Sequence, residues 1–487
     1  MPALAAELRK QLENAIPNVR LKAEAAAEVV LDALSVKRAE PHSALTTEQR
    51  RLRNALRARG RALGSGLLED GLTALKEEIA YEQWHRMVFA RFLAENGILM
   101  HPSGVAVSLQ DCAELAQEEG DPNAWETAAR YAGAMLPGIF RKDDPAVLVR
   151  FAPEWRLQLE TILSNLPSPI FKSEDALGWM YQFWQKNKKD EVNASERKIG
   201  GADISPVTQL FTEDYMVRFL LENSLGAWWA ARHPESPLLK EWKFLRWKDQ
   251  ALSHEGHEVH ERNFENPGVP GGFTTPAAGT FPGWPSLAAQ VTLMDPCCGS
   301  GHILVAGFEM LTNMRMEEEG LAAAAAGDAV LKDNLFGLEL DARCTQIAGF
   351  ALALSAWKKG GYRALPLPNV ACSGIAVQGQ LETWLKLAGD DSRIRAGLQR
   401  LHKLFSDAPD LGSLINPADL PSADRMFVAD YEQVAPVLEQ ALARERGGAD
   451  PVAEVFGAAA EGVAKAARLL AQKYTLVITH VPYLGRG

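Results

Sequence analysis

Val291-Thr-Leu-Met-Asp-Pro-Cys-Cys-Gly-Ser-Gly-His-Ile-Leu-Val305 is the stretch that decides how this chain is read. Val291, Leu293 and Met294 make a short apolar run suited to a buried strand. Asp295 and Pro296 end it. Gly299 and Gly301 carry no Cβ, so the backbone can turn tightly there and pass close to a ligand. Ile303 to Met310 then takes up helical periodicity. A strand, a glycine turn and a helix start place backbone N–H groups and a carboxylate at a sheet edge, where nucleotide-like cofactors bind. Gly-x-Gly alone fits an ordinary strand-to-helix turn equally well. Asp-Pro-x-x-Gly-Ser-Gly after an apolar strand is the more specific pattern.

The rest of the chain sets the frame. Its 487 residues suffice for roughly two to four domains. Hydrophobic residues make up 47% and charged residues 23%, an ordinary balance for a protein with a large core. The net charge of −11 excludes a generally basic nucleic-acid coat but leaves room for a local basic groove. Five scattered cysteines give no disulfide framework, which points to a reducing compartment. Cys297-Cys298 has no Cys-x-x-Cys partner or nearby His/Cys cluster, so small residues in a tight loop explain it better than zinc. Met1 to Val19 has no apolar signal core, and no apolar run reaches the ~18 residues of a membrane span. A cytoplasmic location without membrane contact is expected.

Residues 1–200 read as a helical N-terminal domain. Leu4, Leu8, Leu12 and Ile16 recur at helical spacing. Thr46 to Leu63 is a helix carrying Arg50, Arg51, Arg53, Arg57, Arg59 and Arg61, either a plain solvated face or a set of phosphate contacts. Tyr81 to Gly97 is a strong helix with a Trp84, Val88, Phe92 stripe; its His85 reads as structural. Asp175 to Trp184 is unusually aromatic, more economically a core helix than a base-stacking platform. Residues 201–487 are expected to hold an α/β core. Thr212, followed by acidic Glu213 and Asp214, is positioned to cap a helix with an apolar Tyr215, Phe219, Leu220 face. A Gly/Pro-rich loop at 256–288 delivers the chain into the Val291 strand. Asn334 to Asp341 reads as a second strand ending in acids, placed to accept hydrogen bonds from ribose hydroxyls, with Glu339 preferred and Asp341 second. A third strand is expected near Val370 to Ile375, a helical insertion at 380–473, and a fourth strand at Thr475 to Thr479.

Three of these elements occur in a shared order: Phe211-Thr212, the loop from Asp295 to Gly301, and the strand end from Thr479 to Tyr483. In that order the chain resembles the large adenine-N6 DNA methyltransferases of bacterial phage defence, the BREX (PglX-like) and DISARM enzymes, and the related type IIG restriction-modification methylases. Gly178-Trp-Met-Tyr-Gln, Thr208-Gln-Leu-Phe-Thr and Asn223-Ser-Leu-Gly226 look particularly like the BREX and DISARM group. The resemblance covers residues 170–487.

The resemblance implies a Rossmann-like S-adenosylmethionine-dependent core, incomplete at the C-terminus, behind an all-α N-terminal domain. It implies that Phe211 and Thr212 line the methionine end of the cofactor. Asp295, followed by Pro296, would reach its ammonium group; Gly299 and Gly301 would let the backbone pass close; Glu339 would hold the ribose. The family often has an acid after the third strand. Ala371-Cys-Ser-Gly-Ile375 has none, which leaves Ser373 or backbone groups for the adenine ring. The family's catalytic Asn-Pro-Pro-Tyr, or its Val variant, is here His480-Val481-Pro482-Tyr483. In that motif an Asn oxygen and the next backbone carbonyl accept the two hydrogens of the target amine, and the Tyr ring stacks on a flipped base. The expected partner is double-stranded DNA, together with other defence subunits or a missing C-terminal half. With His480 in place of Asn, and the chain stopping at Gly487, weak or absent transfer by this chain alone is expected. A non-catalytic subunit of a split enzyme is the alternative. A nuclease–methylase fusion is disfavoured, since no strand pair carrying Asp and Glu-x-Lys is evident near the N-terminus.

Overall fold

The computed structural model describes residues 4–64, 67–173, 175–195, 201–208, 212–248, 275–375, 377, 381–386, 388–417 and 451–480. Phe211, Val481, Pro482, Tyr483, most of the 256–288 loop and the helix expected at 431–446 lie outside the described residues. The chain divides into two compact units, 1–209 with 372–471 and 484–487, and 210–371 with 472–483. The 372–471 stretch, read from sequence as an insertion into the core, thus groups with the N-terminal residues.

In the first unit, α1 (Ala6–Ala33), α2 (Thr47–Leu63) and α3 (Leu68–Glu95) pack together, and the Ala176–Ala194 helix lies against α1. The aromatic stretch is core: Trp184 stacks on Trp84 at 4.6 Å, and Tyr181 meets Tyr81 edge-on at 6.1 Å. His85 is fully buried among Tyr81, Phe89 and Phe140, and burial pushes its pKa down to about 3, so the ring is neutral. Thr46 closes a capping box with Gln49 at the start of α2. Of the six arginines, Arg53, Arg57 and Arg59 are at least partly buried and bind protein, while Arg50, Arg51 and Arg61 are exposed. Arg53 donates to the carbonyls of Ser35, Arg38 and Ala39, Arg57 to those of Val36 and Arg38, and Arg59 pairs with Glu78. These bonds satisfy carbonyls left open where α1 ends and the chain turns.

The second unit is α/β. Its sheet has the order β3-β2-β1-β4, with β1 Leu293–Asp295, β2 Leu335–Glu339, β3 Asn369–Cys372 and β4 Leu476–Val477. β1 runs parallel to β2, with Leu293 opposite Leu335 and Asp295 opposite Gly337, and parallel to β4, with Met294 opposite Val477. All of β1 is buried, which explains its continuous apolar run up to the terminal acid. The helices His302–Glu319, Ala323–Asp333 and Ala342–Gly360 pack with the sheet around Leu293, Leu304, Phe308, Leu335 and Leu352. Gly337 lets Leu304 pack close to the sheet, because a Cβ there would lie 2.7 Å from Leu304 Cδ1 and would make that side chain shift. Asn334, fully buried, donates to the carbonyls of Ala288 and Val291 at 2.9 and 2.6 Å and so ties the starts of β1 and β2 together.

The helix after Thr212 differs from the sequence expectation at its start. It spans Asp214–Leu221 with Glu213 at the N-cap and no side-chain capping bond. It runs into a π-helical turn, Glu222–Gly226. Asn223 in that turn donates to the carbonyls of Phe219 and Phe244 and accepts from the Arg246 N–H, while buried Glu222 accepts from the Phe244 N–H. The Asn-Ser-Leu-Gly segment is therefore a clamp on the 244–246 backbone, and the extra residue of the π turn turns Asn223 toward it.

Candidate functional site at the strand-order switch

The chain builds β1, β2 and β3 outward to one side and then places β4 on the other side of β1. Between β1 and β4 the strand order reverses. In open α/β sheets, ligands bind beyond the carboxyl ends of the strands at such a point. Asp295, Pro296, Gly299, Gly301, Glu339 and Asp341 lie at the carboxyl ends of β1 and β2, and His480 follows β4.

Asp295 is the last residue of β1 and is 1% exposed. Its Oδ1 accepts the Cys297 N–H at 3.1 Å, which starts the turn. Pro296 follows, half-buried. The Cys298 N–H reaches the Leu338 carbonyl at 2.9 Å, laying the loop across the end of β2. Gly299 has φ +51° and donates its N–H to Glu339 Oε2 at 2.7 Å. A Cβ at Gly299 would point into open space. Gly301 has φ +88° and caps the His302–Glu319 helix; a Cβ there would meet Ala348 Cα and Cβ at 3.0 Å. The two glycines thus differ: Gly299 shapes the open side of the loop, and Gly301 lets two helices approach.

Glu339 ends β2. Its Oε1 accepts the N–H groups of Leu340 and Asp341 at 2.8 and 3.2 Å. Asp341 caps the next helix through the Arg343 N–H at 2.9 Å and pairs with the Arg343 side chain. Ser373 lies buried just after β3. Thr212 and His480 are brought together from 268 residues apart, Oγ1 to Nδ1 at 3.1 Å. Thr479, beside His480, sets its hydroxyl by Asp295, which favours the ionised carboxyl there. Sequence reasoning named Thr212, Asp295, Pro296, Gly299, Gly301, Glu339, Asp341, Ser373 and His480 as candidates and Thr479 only as a strand end, and it missed the Thr212–His480 bond. A bond between segments so far apart leaves no local pattern to find.

The electrostatics are unusual. Burial pushes the carboxyls of Asp295 and Glu339 up to about 7 each, and the charge of Glu339 adds to the effect at Asp295. Backbone N–H groups offset part of that rise at both. Neither carboxyl makes an ion pair among the described residues. A buried acid, Asp295, and a half-buried one, Glu339, without a cation at a sheet edge favour a ligand that brings positive charge and hydroxyl donors. No group of His, Cys, Asp and Glu among the described residues could hold a metal ion. No helix among them is long and apolar enough to cross a membrane.

These features define a largely helical α/β protein with a small parallel sheet whose strand order reverses between β1 and β4. No family model matches the chain. It is a homologue of two curated methyltransferases. One is the adenine-specific methyltransferase BrxX of Escherichia coli O9:H4 (strain HS), 26% identical over 503 residues, covering 91% of this chain and 38% of the relative. The other is the adenine-specific methyltransferase PglX of Lacticaseibacillus casei (strain Zhang), 26% identical over 471 residues, covering 86% and 36%. The chain therefore spans under two-fifths of the length of these relatives. Among solved structures, the cryoEM structure of the DrdV–DNA complex aligns with 93% of this chain and 34% of that chain, at 10% identity and a TM-score of 0.32, too low to fix a shared fold.

Proposed function

We propose that the second unit, residues 210–371 with 472–483, forms the S-adenosylmethionine-binding part of a site-specific adenine-N6 DNA methyltransferase of phage defence, of BREX type, with a Rossmann-like core. The observation that carries this reading is the pair of cation-free carboxyls, buried Asp295 and half-buried Glu339, flanking the glycine loop at the switch point. S-adenosylmethionine would supply an activated methyl group on a sulfonium, and it is a net cation at its methionine end. Asp295 would hold its ammonium group. Glu339 would exchange part of its bonding to backbone N–H groups for the ribose hydroxyls. Gly299 leaves the open space that the cofactor needs, and Thr212 would line its methionine end beside His480. Asp341, committed to its helix cap and Arg343, supports Glu339 rather than replacing it. Double-stranded DNA is the proposed substrate, in keeping with the adenine-specific names of both relatives.

The experiment is calorimetry with S-adenosylmethionine, paired with transfer of a tritiated methyl group to adenine in DNA of varied sequence. Binding that Asp295→Asn weakens is the expected result. Failure of the full chain to bind the cofactor would overturn the reading. A second reading, a cofactor- or partner-binding subunit of a split methyltransferase without chemistry of its own, is favoured by one residue. His480 stands where the family's amine-binding Asn is expected. Cofactor binding with no transfer until a second chain is added is the outcome that selects it.

A further inference from the structure

The bond between Thr212 and His480 has a direction, and the direction decides what His480 offers a substrate. A neutral imidazole carries one N–H, and which nitrogen holds it follows from the bond made by the other. Thr212 Oγ1 can donate to Nδ1 or accept from it. Two chemical facts favour donation. An sp2 imidazole nitrogen is a stronger acceptor than a hydroxyl oxygen, and the neutral ring intrinsically prefers its proton on Nε2. The structure adds a third. Thr212 does not cap the Asp214–Leu221 helix, whose N-cap is Glu213, and His480 Nδ1 is the partner recorded for its hydroxyl among the described residues.

We propose that Thr212 donates to His480 Nδ1 and holds the ring as the Nε2–H tautomer, so that a donor stands where amine methylation calls for an acceptor. The opposite ring edge, facing away from Thr212, then carries N–H. The exocyclic amine of adenine also presents N–H at that place, and two donors cannot bond. Thr212 is thus a positioning residue acting through His480, and the pair slows transfer to adenine while leaving the carboxyl pair free to hold a cofactor. The consequence for transfer rests on the methyltransferase reading above. The tautomer is a property of the chain alone.

The test uses the full chain with labelled histidine. Nitrogen NMR, with the His480 signals assigned by their loss in His480→Asn, should show the Nε2–H form in the wild-type protein. Thr212→Val should shift it toward a mixture of tautomers, and Thr212→Ser should restore it. In the tritium assay, His480→Asn should transfer methyl groups about a hundred to a thousand times faster than wild type, the scale on which one positioned hydrogen-bonding group acts. An Nδ1–H ring in the wild type, or a tautomer unchanged by Thr212→Val, overturns the proposal. So does a His480→Asn protein no faster than a measurably active wild type. If neither protein transfers at all, the split-subunit reading is selected, and the spectra alone decide the proposal.

Discussion

Asp295 and Glu339 each hold a proton more tightly in the folded chain than in the unfolded one, because burial penalises their charge. An acid raised in this way contributes stability that is complete below the unfolded range near ~4 and is lost as pH rises through about 7. The ligand-free protein should therefore lose thermal stability between about pH 5 and about pH 8, as scanning calorimetry can measure. Binding of a cationic cofactor runs the other way. It needs the ionised carboxyls, so affinity should climb over the same window, by up to about tenfold per carboxyl for each pH unit below its pKa. Titrations in buffers of different protonation enthalpy should show protons released near pH ~6 and few near ~8.5. Asp295→Asn should weaken the cofactor about tenfold or more while leaving the melting point of the free protein unchanged or higher, since a buried charge is removed. A melting point that falls with intact binding would assign Asp295 to the fold instead. Asp295 could be picked out from the sequence because Asp-Pro-x-x-Gly-Ser-Gly fixes its place at a strand end. The backbone N–H groups gathered by Glu339 could not be, because they depend on where the loop crosses β2.

Among the elements, the glycine loop and the π turn make contrasting predictions. Gly301→Ala meets both a positive φ and the Ala348 backbone, whereas Gly299→Ala meets only the positive φ. Chemical denaturation should show a loss of about 1 kcal/mol for Gly299→Ala and about 2–4 kcal/mol for Gly301→Ala. Equal losses would mean that the helices separate to make room. Asn223→Ala removes two bonds between the π turn and the 244–246 backbone and one to the Phe219 carbonyl of the helix before it. It should cost about 1–3 kcal/mol and raise proteolytic cleavage near residue 245. Strand and helix positions were largely legible here, since an apolar run ending in an acid and a 3.6-residue stripe are local signals. β3 falls at Asn369–Cys372, within the stretch expected to carry it. The π turn was not legible, because its extra residue is stabilised by a distant segment rather than by its own composition. The arginines of α2 were ambiguous for the same reason: six positive charges look alike in sequence whether they face water or the carbonyls of Ser35 and Arg38.

For the whole molecule, the division into two units predicts a confined response to ligand. At a hundredfold excess over its dissociation constant, a ligand stabilises the part it binds by about 2.7 kcal/mol. Hydrogen exchange with S-adenosylmethionine should slow the amides of β1, the glycine loop, β2 and the 476–480 segment. The amides of α3 from Leu75 to Leu93 should not change. Uniform slowing across both would show that the chain opens as one cooperative body. The grouping of 372–471 with the N-terminal helices was beyond sequence reading, because helical periodicity shows that a helix buries a face and not which neighbour covers it.

β4 and the residues after it also set an order of assembly. Thr292 and Thr475 meet across 183 residues, and Thr212 and His480 across 268. At roughly 5–20 residues per second of synthesis, β4 leaves the ribosome some ten to forty seconds after β1. The Asp295, Gly299 and Glu339 half of the crevice needs only β1 and β2 and can close early. The Thr479 and His480 half must wait. A nascent chain thus acquires the half that would grip a cofactor well before the half that would face a substrate, and a message interrupted between them would yield a protein able to occupy the first role and never the second.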